Sequence, residues 1–374
     1  MTAFNTRLRD SQSSSTPAIT PEQFDCAAYA DYEAALLERC RRFAAAPEGL
    51  LVYRRFRADG VFFSLCRDRE ASLALQLGAL QASMAYAADV PNFLEPWYGI
   101  GYIAASFGSD YIWPQGQAPA VQPRFSSCAE ILSADHKSIA NTSIGQASLD
   151  MIDFFLTKTH GMLPISFSDI QSPLNMLSYL LPLDDLFLEL LEEPETVSAA
   201  AALVTDLLLE FLQKQREMIG ACLAQPGHGF ASCRAFSGVG LSDDISLMIS
   251  SSTYADIFQP QDERLGAALG GTVYHSCGNW AQKIDLVKRF AHLSMVDGAF
   301  TAETDPSPND PDAFAGKFAN TGVVLNARTV GSADTAYAAL SRLCQPGQKL
   351  IAVTYCQSPE EQAVLYKRLH ALVE

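Results

Sequence analysis

Short apolar runs alternating with longer helical segments constrain this chain more than any other feature of its sequence. The runs are Trp97–Ala104, Leu163–Ile170, Cys233–Leu241, Thr272–Cys277, Leu293–Phe300, Val323–Val330 and Leu350–Cys356. Helical stretches fall between most of them, at 144–159, 173–220, 252–269, 280–291, 312–317 and 333–343, and 359–372 closes the chain. Repeated strand–helix units imply a parallel sheet with helices packed outside it. Seven runs are one short of a closed eight-stranded barrel, and the eighth is either Gly49-Leu-Leu-Val-Tyr53 or irregular. No Gly-rich nucleotide turn follows any run, so a dinucleotide-binding sheet lacks its main signature. The expected fold is therefore α/β, a (β/α)8 TIM barrel with an N-terminal helical extension. Residues 1–20, rich in serine, read as a flexible tail. Residues 21–90 read as the helical region and 91–374 as the barrel.

Length and charge narrow the function. A chain of 374 residues is about right for an elaborated barrel. A net charge of −16 argues against nucleic acid and anionic membrane as partners. Nine cysteines, an odd number spread singly, read as reduced thiols in a cytoplasmic protein. The first ten residues hold no apolar signal region. The richest apolar run, 198–212, is interrupted by Asp206 and Glu210, so it reads as a buried helix rather than a membrane span.

The stretch Gly271-Thr-Val-Tyr-His275-Ser-Cys277-Gly278-Asn279 carries the chemistry. On a strand, residues i and i+2 share a face, so His275 and Cys277 point together at a strand end. An imidazole beside a thiol suits zinc. The expected third ligand is Cys356, at the end of another apolar run, with Cys344 as its competitor. Three protein ligands and an open fourth place describe a catalytic zinc.

Three segments resemble the uroporphyrinogen decarboxylase superfamily. They are Leu163-Pro-Ile-Ser-Phe-Ser-Asp169-Ile-Gln-Ser-Pro173, the Asp243-Asp244 strand end running to Pro260, and His275-Ser-Cys277-Gly278-Asn279 with the distant Cys356. The resemblance implies the barrel fold and one of two chemistries. The decarboxylase branch grips its substrate's carboxylates with an N-terminal Arg-rich segment, which is not found here. Arg54-Arg55-Phe-Arg57 is the nearest basic cluster, in the wrong surroundings. The zinc-dependent corrinoid methyltransferase branch, similar to methylcobalamin:coenzyme M methyltransferases, carries a His-x-Cys and distant Cys set. This chain matches it at His275, Cys277 and Cys356.

The resemblance implies Zn2+ as cofactor and a corrinoid (cobalamin) brought by a partner corrinoid protein. A small molecule, either a thiol acceptor or a methoxy or methylamine donor, would share the site, and a homo-oligomer is expected. Asp169 and Asp244 resemble the family's acidic strand ends and are candidate catalytic residues, each a general acid or base, a hydrogen-bond partner of substrate, or a further zinc ligand. Asn279, Trp97 and Tyr98 are candidate substrate contacts, and Asp297 is a weaker site candidate. His160, His228, His292 and His370 read as surface or packing residues. The alternatives are a cofactor-free decarboxylase and a ligand-binding barrel without turnover.

Overall fold

The computed structural model describes residues 12–374. Ten strands carry the sheet structure: β1 (Ser13–Ser14), β2 (Gly49–Arg54), β3 (Arg57–Ala58), β4 (Ile165–Ser166), β5 (Leu223–Ala224), β6 (Val239–Ser242), β7 (Thr272–His275), β8 (Leu293–Ala299), β9 (Val324–Thr329) and β10 (Lys349–Thr354). Six of them form one parallel sheet in the order β2-β10-β9-β8-β7-β6. Backbone hydrogen bonds curl this sheet round on itself. Asp89 N donates to the β2 carbonyl of Val52, Ser166 N to Leu94 O, and Ser172 N to the β6 carbonyl of Ser242. Leu94 bridges Ile165 in parallel, so the extended segment at Leu94 takes the ring position between β2 and β4. The result is a (β/α)8 TIM barrel, with β5 inserted beside β4.

The expected eighth run is a strand, and it pairs with β10 over its whole length, from Gly49 against Lys349 to Arg54 against Thr354. Residues 21–90 are therefore not a purely helical extension. They hold the helices Cys26–Ala45 and Arg69–Ser83 with the barrel strand β2 between them. The expected strand Trp97–Ala104 is also corrected. Tyr102–Ser106 is a helix, and the strand-like contact lies earlier, at Leu94. Six of the eight residues of that run are buried, with Tyr98 and Ile100 half-buried, and so short an apolar run does not separate helix from strand. Only Val239–Ser242 of the run at 233–241 is a strand. The tail expected at 1–20 lies in part outside the described residues. Its later part is ordered, with Ser13 and Ser14 pairing with Arg57 and Ala58 and Ile19 N donating to Ala74 O. Among the described residues no helix is long and apolar enough to cross a membrane.

Strand alternation divides the core into two shells. Leu51, Tyr53, Val273, Met295, Ile351, Val353 and Tyr355 cluster inside the ring, with Leu37, Cys40 and Phe43 of helix Cys26–Ala45 packed against them. Leu50, Val52, Leu241, Tyr274, Val296, Leu325, Leu350 and Ala352 belong to the larger outer cluster, with helix residues such as Leu340, Leu365 and Leu369. Both faces of each strand are apolar, as expected for a parallel sheet covered by helices.

One buried carboxylate ties the chain's ends together. Asp89 is fully buried and accepts from Val52 N (2.8 Å), Tyr366 Oη (2.6 Å) and His370 Nε2 (2.9 Å), and it pairs with Arg39. It joins helix Cys26–Ala45, β2 and the terminal helix Pro359–His370. Burial alone would raise the Asp89 carboxyl, but the hydrogen bonds of His370 and Tyr366 hold it below its ordinary value. A carboxyl depressed in the folded state stabilises above its unfolded pKa, and that contribution is lost as pH falls through the folded value. Asp89→Ala is expected to cost about 3–5 kcal/mol at pH 7, because it strands buried donors. The difference from wild type in urea melts should shrink once the buffer drops below about pH 3.8, the ordinary value.

Candidate metal centre

Cys277 stands in a tight turn at the end of β7. β7 ends at His275, and Gly278 adopts a positive φ of 73°, a conformation that favours glycine. The turn is fixed by backbone donors. Cys277 N donates to Asp244 Oδ1 (2.7 Å), Gly278 N to Asp305 Oδ2 (2.9 Å) and Trp280 N to Asn309 Oδ1 (2.9 Å). Cys277 is thus an exposed thiol on a rigid support.

Three donor atoms converge there. The ligand atoms of Asp244, His275 and Cys277 all lie within 4.8 Å of one another. His275 Nε2 is 3.5 Å from Cys277 Sγ and 3.9 Å from Asp244 Oδ1. The other ring nitrogen, His275 Nδ1, is 2.7 Å from Asp297 Oδ2. Asp297 in turn accepts from Arg328 Nε (2.9 and 3.1 Å) and Asn326 Nδ2 (2.5 Å). This leaves Nε2 facing the sulfur and the carboxylate. It is the arrangement in which a buried carboxylate sets the tautomer and angle of a metal-binding histidine. Burial works to lower the His275 pKa, but its hydrogen bonds to Asp297 and Cys277 outweigh burial and push it up to about 10. Burial would raise the Asp297 carboxyl, yet Arg328 and His275 hold it below its ordinary value. A metal bound at Nε2 would displace the proton from that nitrogen.

Beside this trio lies a cavity of about 230 Å³. Gln12, Arg55, Arg57, Asp169, His228, Phe230, Ser242, His275, Asp297 and Arg328 line it. The lining residues of β2, β7, β8 and β9 sit at or just past the strands' C-terminal ends, where barrel enzymes build their sites. On the far wall His228 bridges two carboxylates, with Nδ1 2.5 Å from Glu95 Oε2 and Nε2 3.4 Å from Asp169 Oδ2. Glu95 also pairs with buried Arg55 at 3.4 Å. Burial would raise Glu95, but Arg55 and His228 bring it down to about 2. Asp169 accepts from Trp97 Nε1 (2.9 Å) and Gln171 Nε2 (3.1 Å).

The expected site residues thus separate. Asp244, His275 and Cys277 come together, and Asp169 faces the same cavity as His275. Cys356 does not join the trio. It is buried in the outer cluster, its carbonyl accepts from Arg54 Nε (2.8 Å), and burial pushes its thiol up to about 11. The reason is parity. Tyr355 faces the barrel interior, so Cys356 points the other way, under the helices. Trp97 is not in the cavity lining and reaches it through its hydrogen bond to Asp169. Tyr98 packs away from the cavity against Tyr111 and Trp113. Asn279 is exposed, and its Oδ1 accepts from Ala281 N (3.0 Å) in a local turn.

Several site residues went unread in the sequence. His228, expected to be a surface or packing residue, lines the cavity. Arg55 and Arg57, set aside as a basic cluster in the wrong surroundings, are cavity wall. Their signal was parity with Leu51 and Tyr53 at the end of β2. Arg328 sits at the same kind of position on β9, two residues beyond Asn326.

A barrel with donors gathered over the ends of its strands defines a class, and the comparisons place the chain within it. The uroporphyrinogen decarboxylase (URO-D) family model matches residues 44–300. The chain belongs to the uroporphyrinogen decarboxylase family. The match takes in Asp244, His275 and Cys277 and ends before Cys356. No curated protein matches in sequence. Among solved structures, a methyltransferase from Methanosarcina mazei is similar at a TM-score of 0.54 and 13% identity, over 81% of this chain and 84% of that one. At that identity the likeness is one of fold. A protein described as a vitamin-B12-independent methionine synthase from Listeria monocytogenes follows at 0.36 and 13% identity, over 60% and 68% of the two chains. That score is too low to bear on this chain.

Removing the support of His275 should weaken metal binding, with a thermal melt to gauge the stability lost because Arg328 loses the same partner. Asp297→Asn is expected to lower zinc affinity about 10–100-fold, as read by competition with a chromophoric chelator.

Proposed function

We propose that the protein is a zinc-dependent methyltransferase, moving a methyl group between a corrinoid carried by a partner protein and a small substrate in the cavity. The observation that carries this reading is the convergence of an imidazole nitrogen, a thiol sulfur and a carboxylate oxygen beside a cavity at the strand ends. Family membership and the fold shared with a methyltransferase support it.

Zinc held through His275 Nε2 and Cys277 Sγ would supply Lewis acidity toward a methyl donor, or stabilise a substrate thiol as thiolate. The remaining work belongs to the chain's own residues. Asp297 keeps His275 Nδ1 engaged, so that Nε2 stays free for the metal. Arg55, Arg57 and Arg328 set guanidinium groups in the cavity wall beside Asp169 and Asp297, so the wall would offer both donors and acceptors to a polar substrate. His228 Nε2, beside Asp169, can give a proton to a leaving group or take one from an incoming thiol. Phe230, whose ring lies 6.1 Å from that of His275, excludes water from one side. A volume of about 230 Å³ falls below the ~300–1,000 Å³ common for drug-sized ligands, which favours a small substrate.

A second reading has its own observation. Arg55 and Arg57 in the cavity wall are the kind of residue with which a cofactor-free decarboxylase grips carboxylates. One assay set separates the two. Under methyl transfer, purified protein carries about one zinc. It then converts methylcobalamin with a panel of small thiols, or cob(I)alamin with anionic methyl ethers and methylamines, as followed by the corrinoid spectrum. Chelation should abolish turnover, and Cys277→Ser should reduce it at least 100-fold. Carbon dioxide release from a carboxylated substrate that survives chelation would instead establish the decarboxylase.

A further inference from the structure

The identity of the metal's ligands does not follow from the motif alone, because a His-x-Cys pair leaves the third donor open. We infer that the ion is held by Asp244, His275 and Cys277, one oxygen, one nitrogen and one sulfur, and that Cys356 is not a ligand. The inference deepens the zinc reading above and rests on it.

Distance is the first ground. Ligands at ~2.0–2.3 Å around a tetrahedral zinc lie roughly 3.3–3.8 Å apart. His275 Nε2 already stands 3.5 Å from Cys277 Sγ and 3.9 Å from Asp244 Oδ1. His275 Nε2 is thus nearly at the spacing from each of the other two donors that a shared ion requires, and all three lie within 4.8 Å of one another. Asp244 is held in place by the turn it serves, since its Oδ1 accepts from Cys277 N. The same contact that presents the sulfur therefore positions the carboxylate. An oxygen accepting one hydrogen bond keeps a further lone pair, and its partner Oδ2 is also available to an ion.

Cys356 fails on each count. Among the described residues it joins no group of metal-competent donors. The charged groups that bear on its thiol are Glu361 and Arg54, not His275 or Cys277. Its side chain occupies the outward face of its strand's continuation, with Leu350 and Ala352 beneath the outer helices. Its backbone is pinned by Arg54 Nε, and Arg54 itself is buried and lies over Phe56 at 4.2 Å. Turning Cys356 into the barrel would exchange it with Tyr355, a buried residue of the inner cluster. Charge does not decide the matter, because one carboxylate and one thiolate neutralise a divalent ion as two thiolates do.

The test uses full-length protein stripped of metal and titrated with Co2+, whose thiolate charge-transfer absorption in the near ultraviolet counts sulfur ligands. Wild type should bind one Co2+ with the absorption of a single thiolate. Cys277→Ser should abolish that band. Cys356→Ser should leave both band and affinity within twofold of wild type. Asp244→Asn, at a half-exposed side chain, should weaken binding by more than the ~10–100-fold that outer-sphere changes cost. Thermal melts of each variant confirm the fold. A band of two thiolates, or loss of binding in a folded Cys356→Ser protein, overturns the inference and leaves the zinc reading standing. So does an Asp244→Asn protein that binds like wild type. A wild type that binds no Co2+ and no Zn2+ overturns both.

Discussion

The site depends on a constraint that every parallel barrel obeys: successive residues of a strand face opposite sides. Here the inner positions run Leu51, Tyr53 and then Arg55 on β2, Val273 then His275 on β7, Met295 then Asp297 on β8, and Asn326 then Arg328 on β9. Each strand is apolar below and ionic at its upper end. Deep in the ring the inward residues fill space, and two residues further along the same face they do chemistry. Any residue of opposite parity, however suggestive its type, is spent on packing under the helices.

Those upper positions place several charges where water is scarce, so they survive only as a connected set. Asp297 satisfies His275, Arg328 and Asn326, while Glu95 satisfies Arg55 and His228. The two carboxylates act as anchors on opposite walls of one cavity. Each neutralises two cationic or titratable partners and is kept ionised by them. The walls are therefore stiff, because no member can move without leaving a buried charge exposed to apolar surroundings. A stiff wall fixes the place of His275 beside Asp244 and Cys277.

How much of this was legible follows from the same geometry. The alternation of apolar runs and helices gave the barrel, since β7 to β10 each form one compact run with clear ends. The His275–Cys277 pair was legible because i and i+2 must share a face whichever face it is. Asp244 was legible as a strand end and as a candidate further ligand, but its hydrogen bond from Cys277 N, made across 33 residues of sequence, was not. Cys356 misled because both faces of β10 are apolar, so the sequence did not reveal which face looks inward. His228 was illegible for another reason. It stands in a loop between Gly227 and Gly229, and its partners Glu95 and Asp169 come from segments more than 50 residues away. Trp97–Ala104 misled because so short an apolar run does not separate helix from strand.

One modest feature at the amino end has a practical meaning for anyone handling the protein. Gln12 lines the cavity, accepting from Tyr355 Oη at 3.0 Å, and Ser13–Ser14 lie along β3 next to Arg57. The barrel ring and the trio of ligand atoms need neither. Two preparations differing only in whether this short segment is intact would carry the same trio of donor atoms. Their active-site mouths would differ in width and polarity, and so would the size of substrate each admits.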